Sequence, residues 1–147
     1  MSQAYADEPV QGRSGSEVEL RVPAQVDQLF IVRSVAAAIA TQNNFDLDTI
    51  ADLRLAVDEA TTRLIRAARP ETILTCRFRA LGRQIEYSGS VPSWAEDTVE
   101  VSEHGFGWHV LRTLTDEVAV RRVADPDDSA RSILSIEFSL RTGGASM

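Results

Sequence analysis

The chain has 147 residues, 44% of them hydrophobic and 25% charged, and a formal net charge of -7. That length suits one domain around a single core, and no apolar run nears the ~20 residues that a membrane span requires. The acidic balance repels nucleic acid at long range, and with no helix-turn-helix signature present it argues against direct DNA binding.

Residues 1–16 are polar and hold Pro9, Gly12 and Gly15, so they read as a mobile leader. No basic start followed by an apolar segment appears there, which predicts a cytoplasmic protein rather than a secreted one. Val18, Leu20 and Val22 alternate with Glu17, Glu19 and Arg21, as in a short strand with one wet face, and Pro23 ends it. From Ala24 the period lengthens. Val26, Leu29, Val32, Ala36 and Ile39 recur every three to four residues and predict an amphipathic helix closed by Asn43 and Asn44. A second helix follows, capped by Asp46 or Asp48. Its stripe is Ile50, Leu53, Val57, Ala60 and Leu64, and it reaches about Arg69, before Pro70.

Leu74, Cys76, Phe78 and Ala80 then alternate against Thr75, Arg77 and Arg79, which places Cys76 on the buried face of a strand. Cys76 is the only cysteine, so no internal disulfide forms, and it reads as a small packed hydrophobe. A turn at Leu81-Gly-Arg leads to a partner strand with Ile85 and Tyr87, an antiparallel hairpin. Ser88 to Asp97 reads as a loop, in which Trp94 is the candidate for an exposed contact. Beyond Gly105 and Gly107, Leu111 and Leu114 predict a third helix, followed by a strand around Val118 to Val123. A turn at Asp125-Pro-Asp-Asp128 precedes a last strand carrying Leu134, Ile136, Phe138 and Leu140, and residues 142–147 read as a flexible tail. This order predicts an α+β fold: a single-domain two-layer sandwich over residues 17–141, its mostly antiparallel mixed sheet covered by helices on one face.

The glycine pair carries the first chemical signal. Neither Gly105 nor Gly107 has a Cβ and both can take positive φ, so the backbone there can approach a ligand closely. The helix behind them offers free N–H groups and the positive end of its dipole, a setting that favours phosphate. Simple loop punctuation explains such a pair equally well. His104 and His109 flank it without the carboxylate or cysteine partners of a metal site. Phe106 and Trp108 fit either a pocket lining or the core. The acidic group Asp125, Asp127 and Asp128 suits a basic partner surface or a solvated turn.

Leu53-Arg-Leu-Ala-Val-Asp-Glu-Ala-Thr-Thr-Arg63, then the hairpin, then Gly105-Phe-Gly-Trp-His-Val-Leu-Arg-Thr-Leu-Thr-Asp-Glu-Val118, form a combination more specific than any part alone. In this order they resemble the ATP-binding domain shared by histidine kinases, gyrase and MutL. The likeness is closer to its small bacterial branch, the RsbW and SpoIIAB anti-sigma factors, and covers nearly the whole chain after the leader. It implies the Bergerat ATPase fold and a homodimer that holds a stress-type sigma factor away from RNA polymerase. STAS-type anti-anti-sigma partners would relieve that block. Many members also phosphorylate a serine on such a partner with bound ATP.

By the resemblance, Glu59 matches the family's catalytic base. At the asparagine that binds magnesium this chain has Arg63, which offers donors only and cannot ligate a hard cation. Arg63 is left to contact a phosphate or to pair with Glu59 across one helical turn, and Glu59 to act as base or to sit on the helix face beside Arg63 or Arg66. Gly89 falls at the aspartate that recognises adenine, and only Ser129-Ala-Arg-Ser132 stands for the late glycine and threonine motif. The implied cofactor residues are therefore Arg63, Gly105, Phe106 and Gly107. They hold ATP or ADP weakly, with magnesium disfavoured and kinase activity weak or absent.

Overall fold

The structure, a computed structural model, describes residues 15–94 and 105–143. The predicted leader and tail lie largely outside these residues, as does His104. Strand β1 spans Gly15–Pro23, a short 3-10 turn spans Val26–Gln28, and helices α1 and α2 span Leu29–Gln42 and Leu47–Ala67. Strands β2, at Ile73–Leu81, and β3, at Gln84–Trp94, form the hairpin. Helix α3 spans Gly105–Leu114, and β4 and β5 span Glu117–Ala124 and Arg131–Arg141. The five strands lie in the order β1-β2-β3-β5-β4, and every pairing among them is antiparallel.

Local chemistry explains the boundaries. Asn44, at φ 63°, ends α1 in the left-handed region that asparagine tolerates. Asp46 is the N-cap of α2, its carboxylate accepting the Thr49 N–H at 2.7 Å. The helix closes at Ala67, two residues before the predicted Arg69, because Ala68 is already extended. Leu53, Val57, Ala60 and Leu64 are fully buried. Burying a leucine or valine side chain favours the folded state by roughly 1.5–3 kcal/mol over exposure, so this stripe seats α2 on the sheet. Gly82 takes φ 60° at the first position of the two-residue loop between Leu81 and Gln84.

β3 corrects one expectation. Ser88 to Trp94 is strand, not loop: Ser88, Gly89 and Ser90 pair with β2 on one side, and the strand pairs with β5 on the other through Trp94. Glycine, proline and serine read locally as turn residues, but a central strand's two partners outweigh that preference. Pro92 fits because its carbonyl faces the side that β2 has left, where it accepts the Arg69 N–H at 2.9 Å. Its missing N–H therefore removes no ladder bond. Ser93 Oγ donates to the Ala67 carbonyl at 2.8 Å, so the far end of β3 is fastened to the end of α2.

Phe78, Tyr87 and Phe138 sit opposite one another on β2, β3 and β5, their rings facing the helices. Tyr87 stacks on Phe138 at 4.8 Å between centroids and tilts against Phe78 at 5.5 Å. Cys76 is buried beside them, as its strand position predicts.

Candidate functional site

Glu59 and Arg63 lie one turn apart on α2, so their side chains emerge together. Arg63 Nη1 stands 3.4 Å from Glu59 Oε2; the arginine side chain is 13% exposed and the glutamate 31%. The ion pair foreseen as one alternative thus forms, and it is sheltered.

α3 brings the glycine motif to the same place, though not as a loop. Gly105, Phe106 and Gly107 all belong to the helix, and among the described glycines only Gly82 has positive φ. The demand at Gly107 is steric. A Cβ there would run into the Glu59 carboxylate and come within 2.6 Å of Arg63 Nη1. The α3 backbone at Gly107 is laid directly on the Glu59–Arg63 pair, and Trp108 and Leu111, 4% and 0% exposed, anchor the helix. Trp108 is thus a core residue.

Glu59, Arg63 and Gly107 therefore converge, as the family resemblance implies. A divalent metal does not fit this donor set. One carboxylate faces a guanidinium that supplies only N–H groups, and no group of three or more His, Cys, Asp or Glu among the described residues could hold a metal ion. Ser132, in the loose counterpart of the late motif, is buried and accepts from Arg122 Nη1 at 2.7 Å.

Gly89 lies on the helix-facing side of β3. A Cβ there would meet the Tyr87 hydroxyl and lie 2.7 Å from Leu64 Cδ1. The hydroxyl is hydrogen-bonded to Thr61 Oγ1 at 2.8 Å, and both residues are essentially unexposed. Sequence reasoning did not single out this Tyr87–Thr61 pair. The available signal was an aromatic two residues before a glycine on one strand, which puts both on the same face. Burial pushes the Cys76 thiol up from 9.0 to about 12, and burial likewise holds the Tyr87 phenol well above its ordinary value.

Two other features lie outside this convergence. Trp94 is 45% exposed, as expected, but the Arg69 guanidinium covers its ring at 3.9 Å. Asp128 lies 3.8 Å from Arg69, and Asp125 3.2 Å from Arg131, so part of the acidic turn is engaged internally. On the opposite side of the sheet, a groove of about 830 Å³ is lined by Arg77, Arg79, Glu86, Arg121 and Glu137 among others. Its charges are largely self-paired, Arg77 with Glu19 at 3.0 Å, Arg79 with Glu86 at 3.6 Å and Arg121 with Glu137 at 3.1 Å.

A helical layer on an antiparallel sheet, with a carboxylate-bearing helix set against the glycine-rich start of another, defines an ATPase-type domain of the histidine kinase kind. The chain belongs to the histidine kinase-like ATPase domain family, which matches residues 22–130. Within it, the chain is similar to the anti-sigma-F factor RsbW of Mycobacterium tuberculosis, 37% identical over 146 residues that make up 97% of this chain and 85% of that protein. It is also similar to the serine-protein kinase RsbW of Bacillus subtilis, 28% identical over 71% of this chain and 77% of that protein. Among solved structures, the RsbU and RsbW domains of a Mycobacterium tuberculosis protein share the fold. That match has a TM-score of 0.56 at 12% identity and covers 88% of this chain and 35% of the longer one.

Proposed function

We propose that this protein is an anti-sigma factor: it binds a stress-type, sigma-F-like sigma factor and blocks its association with RNA polymerase. STAS-type anti-anti-sigma partners relieve the block. The observation that carries the reading is the 37% identity, sustained over 97% of the chain, with a protein named for that role. It acts as a homodimer in the cytoplasm and does not contact DNA directly. Among the described residues, no helix is long and apolar enough to cross a membrane. Size-exclusion chromatography of the purified chain with a stress-type sigma factor tests it. A stable joint peak is expected, and separate elution at micromolar concentration contradicts it.

The second reading, an ATP-dependent serine kinase acting on the antagonist, draws on the relatives named serine-protein kinase. The pairing of Arg63 with Glu59 opposes it. The guanidinium stands 3.4 Å from the carboxylate oxygen that would have to face a substrate hydroxyl, and Arg63 offers only N–H donors, so it cannot hold the magnesium that phosphoryl transfer uses. ATP or ADP is then a weakly held ligand of the Arg63, Gly105, Phe106 and Gly107 region rather than the fuel of a reaction.

A further inference from the structure

By the family resemblance a bound nucleotide is recognised through its base as well as its phosphates, and the base side is one of the two places where this chain departs from the pattern. Gly89 occupies the position matched to the adenine-recognising aspartate, and the space that a side chain at 89 would enter is already filled. The Tyr87 hydroxyl lies across it, with Leu64 Cδ1 at 2.7 Å and Tyr87 Cζ at 2.9 Å from the position of a Cβ. That hydroxyl has little freedom. It bonds Thr61 Oγ1 at 2.8 Å, while Phe138 and Phe78 hold the ring at 4.8 Å and 5.5 Å. Tyr87, Thr61 and Leu64 are 1%, 0% and 0% exposed, so the arrangement is core and not a surface side chain that moves aside.

We infer that the Tyr87 hydroxyl, fixed by Thr61, plugs the base subsite, so that this chain draws no affinity from a purine base. Any nucleoside triphosphate it takes up is held through its phosphates. Entry of adenine would require breaking a buried hydrogen bond and displacing a ring from a close-packed aromatic row, both of which oppose binding. The inference rests on the family and on the packing around Gly89. It does not depend on sigma-factor capture, which is measured separately.

Calorimetric titration of the full chain with ATP, GTP, CTP, inorganic tripolyphosphate and adenosine, each with and without magnesium, tests it. The four triphosphates should agree within about twofold, or all fall below detection, and adenosine should not bind. ATP binding roughly tenfold or more tighter than GTP and tripolyphosphate would overturn the inference. A gain-of-function arm uses the double variant Y87A/G89D, checked for cooperative unfolding, in which ATP should exceed GTP by roughly tenfold. A folded double variant that stays indifferent to the base would overturn the assignment of Tyr87 as the plug, and the wild-type titration tests base indifference whether or not the variant folds.

Discussion

Arg63 Nη1 lies 3.4 Å from Glu59 Oε2, and the α3 backbone at Gly107 packs against both groups. Three residues from two separated motifs thus meet in one sheltered cluster, with the guanidinium standing where the family's resemblance calls for a metal-binding amide. Incubation with ATP, magnesium and an anti-anti-sigma partner should therefore yield no stoichiometric phosphoserine by intact-mass spectrometry. Arg63→Asn alone should not restore transfer, because Tyr87 still lies over Gly89. Robust wild-type transfer that disappears in Glu59→Ala would contradict this account.

Gly107 and Gly89 should respond differently to alanine. At Gly107 the obstructing atoms are the ends of two flexible side chains, and alanine in a helix favours folding by about 1 kcal/mol over glycine. Gly107→Ala should leave stability within about 1 kcal/mol of wild type while displacing the ion pair. Gly89→Ala meets a hydrogen-bonded phenol and a buried leucine, and should destabilise by about 1–3 kcal/mol. Urea denaturation of the two variants checks the contrast.

Removing the buried hydroxyl leaves its partner unsatisfied. Tyr87→Phe should lower stability by about 1–2 kcal/mol, since Thr61 Oγ1 loses a 2.8 Å bond where no water reaches. Thr61→Val on that background should add little, because both ends of the bond are then apolar. A double-mutant cycle showing full additivity would mean that the two hydroxyls act independently.

Most of the fold was legible because it rests on periodicity. The stripe Leu53, Val57, Ala60 and Leu64 and the alternation through Cys76 and Phe78 appear where the residue spacing puts them. The second half of β3 was not, since Ser88-Gly-Ser-Val-Pro carries turn chemistry and only pairing with β2 and β5, distant in sequence, makes it a strand. At the site, the ion pair followed from a helical spacing of four. The plug over Gly89 did not, because it depends on α2 and β3 packing face to face. Gly107 was recognised for backbone freedom, yet what the structure requires of it is the absence of a side chain.

Cys76 and Tyr87 predict behaviour in alkali. Burial pushes the thiol from 9.0 to about 12 and holds the phenol above its ordinary value, so both keep their protons longer folded than unfolded. Above pH 9 the unfolded chain binds fewer protons than the folded one, and stability falls as pH rises toward 12, with no contribution from these groups at neutral or acid pH. Denaturation midpoints should decline through that window, less steeply in Cys76→Ala. The native thiol should also resist an aromatic disulfide reagent at pH 8 until denaturant is added, with the reaction followed by absorbance.

The central claim is capture of a sigma factor by a domain that does not need nucleotide chemistry to hold it. Its most direct test is size-exclusion chromatography with light scattering on the nucleotide-stripped chain mixed with a stress-type sigma factor at micromolar concentration. One peak containing both proteins, whose mass is unchanged by adding ATP and magnesium, is predicted. Separate elution, or a complex that appears only with magnesium and ATP, would contradict it.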